Sequence, residues 1–221
     1  MLKCDILRSL EYSARIYTGG VPFCCGKTHC NINGTECCVN VNGSTITIVF
    51  RGTDSPDEWR SNLLFFKKVI PYNNRNSAIR VHSGFINAYK NEKVRDKIHS
   101  LIPKETCRII VAGHSRGAAL AVLCAVDLQY NFPDKSVEAY LFGCPRVGNR
   151  AFAKSYNKRV FKTLRIENGN DIVTKLPPAV FGFRHVGTRI GVGNTRLPLL
   201  LSAHDHYPNM YLKGIVDRMF T

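Results

Sequence analysis

Residues 108–128 read RIIVAGHSRGAALAVLCAVDL, with a serine between two glycines where one periodicity gives way to another. Arg108–Gly113 is a short apolar, β-branched run with the character of a buried strand. Arg116–Leu128 is rich in alanine and leucine and reads as a helix. The joining Gly113-His114-Ser115-Arg116-Gly117 fits the pattern G-x-S-x-G. In a nucleophile elbow the turn is so tight that side chains at the glycine positions would strike the neighbouring strand and helix. The serine is lifted above the sheet at a helix N-terminus, where backbone N–H groups can stabilise a negative oxygen. A pentapeptide this short recurs by chance; the strand before it and the helix after it make it specific.

A serine hydroxyl is a poor nucleophile at neutral pH and needs a base, usually a histidine oriented by a carboxylate. Among the seven histidines, His29 lies in a cysteine-rich loop and His99 falls late in a charged helix. His114 is inside the elbow, directed away from the serine side chain, and His82 and His185 adjoin structural-looking turns. His204 and His206 remain, just before the last helix, and the order Ser…Asp…His of an α/β hydrolase admits either. For the acid, Asp127 is too far along the elbow helix to turn back, and Asp134 lies at the wrong end of the sheet. Asp171 follows directly after a strand, at the carboxyl edge where open α/β sheets bind ligands, and is the expected acid. Asp205 reads as a helix-start carboxylate.

A length of 221 residues suits one α/β domain over residues 1–221. Apolar and charged contents of 44% and 21% are ordinary, but 31 Lys+Arg against 16 Asp+Glu leave a net charge of +15. Such a field favours anionic partners. With no long basic run and no nucleic-acid motif, the expected partner is an anionic membrane surface, not nucleic acid; a solvated basic surface with no single partner is the bland alternative. The N-terminal twenty residues are broken by Lys3, Asp5, Arg8 and Glu11, unlike a signal peptide, and no segment has the length of a membrane span. The expectation is a cytoplasmic protein or one peripheral to membranes, which makes the sequons at Asn33 and Asn42 uninformative. Nine cysteines include Cys24, Cys25, Cys30, Cys37 and Cys38 beside His29, at spacings that match no common zinc motif; free thiols are the reading preferred over disulfides or metal. The oligomeric state is not legible.

Along the chain, the segment to Tyr17 reads as an amphipathic helix, and 37–40 with 45–50 as a hairpin through Asn42-Gly43. Ser55-Pro56-Asp57-Glu58 has the form of a capping box opening a helix that carries Trp59, Leu63 and Phe66 on one face. Residues 82–102 read as another helix entered through Ser83, 136–143 as a strand and 147–156 as a short helix. A strand at 162–167, a weak one at 184–187 and a helix near 207–219 complete the pattern. Strands alternating with helices imply a mostly parallel central sheet with helices on both faces.

Seven stretches in order then give a resemblance. They are VFRGT (49–53), VHSGF (81–85), GHSRG (113–117), FGCPRVGN (142–149), NGND (168–171) with Pro177-Pro178, HVG (185–187), and His206 five residues before Tyr211-Leu212. In this series the chain resembles the class 3 lipase family, which has an α/β-hydrolase fold. The resemblance favours His206 over His204 as base, and implies a Ser115–Asp171–His206 triad. It further implies that the backbone N–H groups of Thr53 and Arg116 form the oxyanion hole. Arg116 departs from the apolar residue usual there, but only its backbone is needed. The resemblance also implies that the helix at 56–66 is a lid, with Trp59, Leu63 and Phe66 meeting substrate; as residues alone, the same stripe reads equally as core. The implied activity is that of a serine hydrolase cleaving lipid acyl esters, acylglycerols by default, with no cofactor or metal. The alternatives are a phospholipase A1 or lysophospholipase on anionic membranes, and a non-catalytic lipid-binding module of the same fold.

Overall fold

Alternating apolar residues in the strands are sorted onto two faces of one sheet. Ile109 and Val111 face one core while Ile110 and Ala112 face the other, and Cys37 and the adjacent Cys38 part in the same way. A computed structural model describes residues 3–18, 27–32, 35–53, 68–71, 74–90, 94–194 and 200–220, leaving aside the side chains of residues 27–32, 219 and 220. The strands are β1 (Lys27–Ile32), β2 (Thr35–Asn42), β3 (Thr45–Phe50), β4 (Lys68–Val69), β5 (Val81–His82) and β6 (Arg108–His114). They continue with β7 (Ser136–Phe142), β8 (Gly148–Asn149), β9 (Thr163–Asn168), β10 (Phe183–Arg184) and β11 (Thr188–Val192). The helices are α1 (Lys3–Arg15), α2 (Ser83–Lys90), α3 (Val94–Ser100), α4 (Arg116–Asn131), α5 (Arg150–Arg159) and α6 (Pro208–Phe220).

The main sheet runs β1-β2-β3-β6-β7-β9-β11. From β3 onward all pairings are parallel, and β1–β2–β3 is an antiparallel meander turning at Gly43 and Ser44, as the hairpin reading expects. Helices α2 to α5 pack one face, while α1 and α6 cover the other through Ile6, Leu10, Tyr211 and Ile215. Helix α4 is buried almost all round, from Gly117 to Leu128 apart from Val126, which is why its apolar residues show no clear stripe.

Four readings need correction. His82 does not open a helix: its N–H donates to the Val147 carbonyl at 2.8 Å and, as part of β5, it pairs with Lys68 of β4, so α2 begins at Ser83. The expected helix over 82–102 is two helices, α2 and α3, on either side of residues 91–93, which lie outside the described set. Helix α5 starts at Arg150 because β8 holds Gly148 and Asn149 extended, with Asn149 Oδ1 capping the Phe152 N–H at 3.0 Å. The weak strand at 184–187 is the two-residue β10 of a second sheet, β10-β8-β5-β4, and the main sheet gains β11, which no sequence signal marks. The lid-like helix at 56–66 lies outside the described residues.

A polar knot fastens α4 to α2 and α3. Asp127, 4% exposed, accepts from Tyr89 Oη at 2.9 Å, Arg95 Nε at 3.1 Å and His99 Nε2 at 2.7 Å. Burial alone would raise its pKa, but the His99 and Tyr89 hydrogen bonds hold it below the ordinary value. Removing this carboxylate takes away the buried acceptor shared by Tyr89, Arg95 and His99, although Arg95 keeps the exposed Asp96 at 3.4 Å. Asp127→Ala is expected to lower the unfolding free energy by about 3–5 kcal/mol, read by urea denaturation.

Candidate active site

Ser115 joins β6 to α4 with φ 60° and ψ −127°, a left-handed conformation that costs a non-glycine residue on the order of 1–3 kcal/mol. The flanking glycines make the turn sterically possible. A Cβ on Gly113 would strike the Gly117 backbone, and a Cβ on Gly117 would strike the Phe50 carbonyl at the end of β3. The Ser115 N–H donates to the Phe142 carbonyl at 2.9 Å, its own carbonyl receives the first helical N–H groups of α4, and its hydroxyl is not spent on capping. Ser115 is 2% exposed, and Oγ makes no hydrogen bond among the described residues. Such contacts commonly tighten only when substrate binds.

Gly143, next to that Phe142 acceptor, has φ +56°, and a Cβ there would lie 2.8 Å from His206 Cε1 and 3.0 Å from Asp171 Oδ2. The elbow, the imidazole and the carboxylate thus converge on one peptide. Asp171 Oδ2 accepts from His206 Nδ1 at 2.8 Å and from Tyr211 Oη at 2.5 Å, and Oδ1 accepts from the Val173 N–H at 2.8 Å. With Nδ1–H directed at the carboxylate, the neutral ring carries its lone pair on Nε2. Burial and the adjacent Asp171 push the Tyr211 pKa well above the ordinary value, so it remains a donor.

The loop carrying Asp171 is braced from the loop carrying His206. Asp171 bridges Ser202, and Asp205 Oδ2 accepts from the Asn170 N–H at 2.9 Å. Asp205 is therefore a loop brace, not the helix-start carboxylate expected of it. The side chain of His204 is 65% exposed, whereas His206 is buried. Asp127 and Asp134 take no part in this constellation.

His114 does point away from the serine side chain, as neighbours on a strand must. Its face is the one covered by α1 and α6, and the chain bearing His206 crosses there. His114 Nε2 donates to the His206 carbonyl at 2.7 Å, Nδ1 accepts from Tyr17 Oη at 3.0 Å, and the two imidazoles stack with centroids 4.5 Å apart. Burial, then the nearness of His206, lowers its pKa well below the usual value.

Thr53 follows Gly52, whose Cβ would strike Tyr17 Oη and approach the His114 carbonyl to 2.9 Å. The end of β3 therefore runs against the elbow, as Gly117 also requires. Arg51 turns away to Glu36 Oε2 at 2.5 Å. Burial lowers the pKa of Arg116. His185 Nε2 donates to the Thr174 carbonyl at 2.8 Å, and Arg146 donates to the Pro177 carbonyl at 3.0 Å, so both shape the wall below Asp171. Trp59, Leu63 and Phe66 lie outside the described residues, as do the side chains of Cys24, Cys25, His29 and Cys30. Among the described residues no group of acidic, histidine and cysteine side chains is arranged to hold a metal ion.

The family model described as Lipase (class 3) matches residues 47–181. A lipase of Rhizomucor miehei is 38% identical over 149 residues, covering 65% of this chain and 40% of that protein. A rice protein named phospholipase A1-II 4 (Oryza sativa subsp. japonica) is 32% identical over 199 residues, covering 77% of this chain and 50% of that protein. The chain thus spans half or less of these curated relatives. A solved triacylglycerol lipase, described as having a serine protease triad as its catalytic centre, superposes with TM-score 0.74 at 27% identity, covering 91% of each chain.

Two histidines with lowered pKa values, the buried His114 and the half-buried His185, make stability depend on pH. The His114 pKa is held well below its ordinary value and that of His185 is lowered to about 3, chiefly by burial. Below about pH 6.5 the unfolded chain therefore takes up protons that the folded chain refuses. Unfolding free energy is expected to fall as pH drops from about 6.5 to 5, by up to about 1.4 kcal/mol per pH unit for each ring. Urea titrations across that window check it; stability rising on acidification would contradict it.

Proposed function

The chain belongs to the class 3 lipase family, and from that premise we propose that it hydrolyses lipid carboxylic esters through an acyl-enzyme on Ser115. The carrying observation is the strained Ser115 turn joined, through the Phe142–Gly143 peptide, to a His206 ring whose Nδ1 is held by Asp171. His206 Nε2 takes the Ser115 Oγ proton as Oγ attacks the acyl carbon, and the carbonyl π electrons move to oxygen. The backbone N–H groups of Thr53 and Arg116 receive the oxyanion. Collapse expels the alcohol, which takes the proton from His206; water repeats the sequence and releases the fatty acid. Asp171 holds the imidazole tautomer and stabilises the imidazolium, with Tyr211 and the Val173 N–H fixing the carboxylate.

Acylglycerol is the preferred substrate in this reading, in line with the description of the solved triacylglycerol lipase on which the chain superposes. Phospholipid is the second reading, favoured by the net charge of +15 and by the rice relative's name. Such a charge draws the protein to anionic membrane surfaces, where it would work as a peripheral enzyme.

Ser115→Ala is expected to lose turnover by roughly 10⁶-fold, and Asp171→Asn by roughly 10⁴-fold, on analogy with other serine hydrolases. A fluorogenic acyl ester gives the rates, and a fluorophosphonate probe should label folded wild-type protein but not Ser115→Ala. Wild-type hydrolysis by Ser115→Ala would end the proposal, and a folded protein that is never labelled would favour a lipid-binding module. Triacylglycerol emulsions set against anionic phospholipid vesicles separate the two substrates. Hydrolysis of the vesicles should fall steeply with added salt.

A further inference from the structure

On the far side of the Asp171 turn, one buried carboxylate is surrounded by cations. Glu167, 5% exposed, bonds Arg165 through Oε1 and Arg189 Nε through Oε2 at 2.6 Å. Lys175 Nζ lies 3.7 Å from Oε2, and His185 Nε2 lies 3.8 Å from Oε1. Burial chiefly, and with it the charge of Arg146, lowers the pKa values of Arg165, Lys175 and His185, and burial followed by the charge of Arg184 lowers that of Arg146. Arg146 and Arg184 use Nη1 on backbone carbonyls, Lys175 and Pro177 for the first and Ala179 and Phe183 for the second. Neither has a carboxylate within ion-pair distance among the described residues. Carbonyls satisfy hydrogen bonds but cancel no net charge. With His185 neutral, Arg165, Lys175 and Arg189 lie within ion-pair distance of Glu167, a formal excess of two, and Arg146, which donates to the Lys175 carbonyl, adds a third positive charge close by.

Other groups do not remove that excess. Asp171 acts on Lys175 but is engaged by His206, Tyr211 and the Val173 N–H. Cys144 and Tyr211 also act on Arg165, yet burial raises the pKa of both, so they are uncharged at neutral pH. Like charges held together in partly desolvated surroundings are costly unless an anion joins them. The group is also reachable: Lys175 and Arg189 are 43% and 55% exposed, and β11, which carries Arg189, is the edge of the sheet.

We propose that Arg146, Arg165, Lys175 and Arg189 form a binding site for a phosphate-type anion beside the ester-cleaving centre. A phosphate suits it better than a carboxylate because it brings up to two charges and several acceptor oxygens to a multiply positive site. The anion has two possible sources, free phosphate or the head group of a membrane phospholipid. Val180 and Phe181, 85% and 49% exposed, lie on the turn that follows Pro177, whose carbonyl is held by Arg146, and give the site an apolar border on which lipid could rest.

Binding, not hydrolysis, tests this, so its failure is separable from failure of the esterase reading. The full chain carrying Ser115→Ala is titrated with inorganic phosphate by calorimetry, and with vesicles of phosphatidylcholine alone or containing phosphatidylglycerol by co-sedimentation. It is compared with the same chain bearing Lys175→Gln and Arg189→Gln, in which Arg165 still neutralises Glu167. A control bearing Lys97→Gln and Lys104→Gln loses the same charge from exposed positions at the strand-entry end of the sheet. Thermal melting confirms that each variant is folded. The expected result is at least a roughly tenfold loss of binding in the first pair and little change in the second. Loss of phosphate binding identifies the free anion as a ligand; loss confined to the phosphatidylglycerol vesicles identifies the head group. Equal losses in both pairs, or no binding of either probe by the parent, overturn the proposal.

Discussion

The hydrogen bond from the Ser115 N–H to the Phe142 carbonyl, 2.9 Å across the ends of two parallel strands, is the contact on which the rest of the site depends. It extends the parallel ladder of β6 and β7 by one residue, and the chain can turn sharply straight after it only because Gly113 and Gly117 put no Cβ into the elbow backbone or into the Phe50 carbonyl. The same constraint recurs at Gly143, where backbone rather than side chain must meet His206 and Asp171. The site is thus built by close approach of main chain from β3, β6 and β7. The strain at Ser115 persists because packing on three sides leaves no relaxed alternative.

This explains which parts of the molecule could be read from the sequence. The elbow announces itself because glycine has no substitute where backbones touch, and the strand and helix around it have unmistakable periods. Asp171 is legible for a similar reason: it follows a strand directly, through Gly169 at φ +47°. Strand β11 is not legible, because an edge strand with only one neighbour is under little pressure to bury side chains. Thr188 and Arg189 are exposed and Gly191 interrupts the run, so no alternation survives. His82 is easily misread because it sits where β5 passes into α2, where its Nδ1 accepts the Gly84 N–H at 3.2 Å.

The roles of His114, Tyr17 and Asp205 are beyond sequence reasoning for another reason. Each depends on which distant segment crosses which face of the sheet. Tyr17 follows α1 and Tyr211 lies in α6, near opposite ends of the sequence, yet both rings pack edge-on against His114. Only the packed structure shows that the two terminal helices, lying side by side on one face, carry the polar supports of the base and its acid.

Three buried carboxylates away from the active site differ from Asp171 in the partners that hold them. Asp127 is gripped by Arg95 and His99, Glu138 by Arg108 and Lys162, and Glu167 by Arg165, Arg189 and Lys175. In a chain so rich in cations, each of these acids is shared among several partners, which ties helices and strands together. Asp171, equally buried, has no lysine or arginine within ion-pair distance among the described residues; its partners are the His206 ring, the Tyr211 hydroxyl and the Val173 N–H. A guanidinium on either oxygen would hold the negative charge in place and weaken its response to an imidazolium forming at His206. Neutral donors fix the direction of the carboxylate while leaving its charge available to the base.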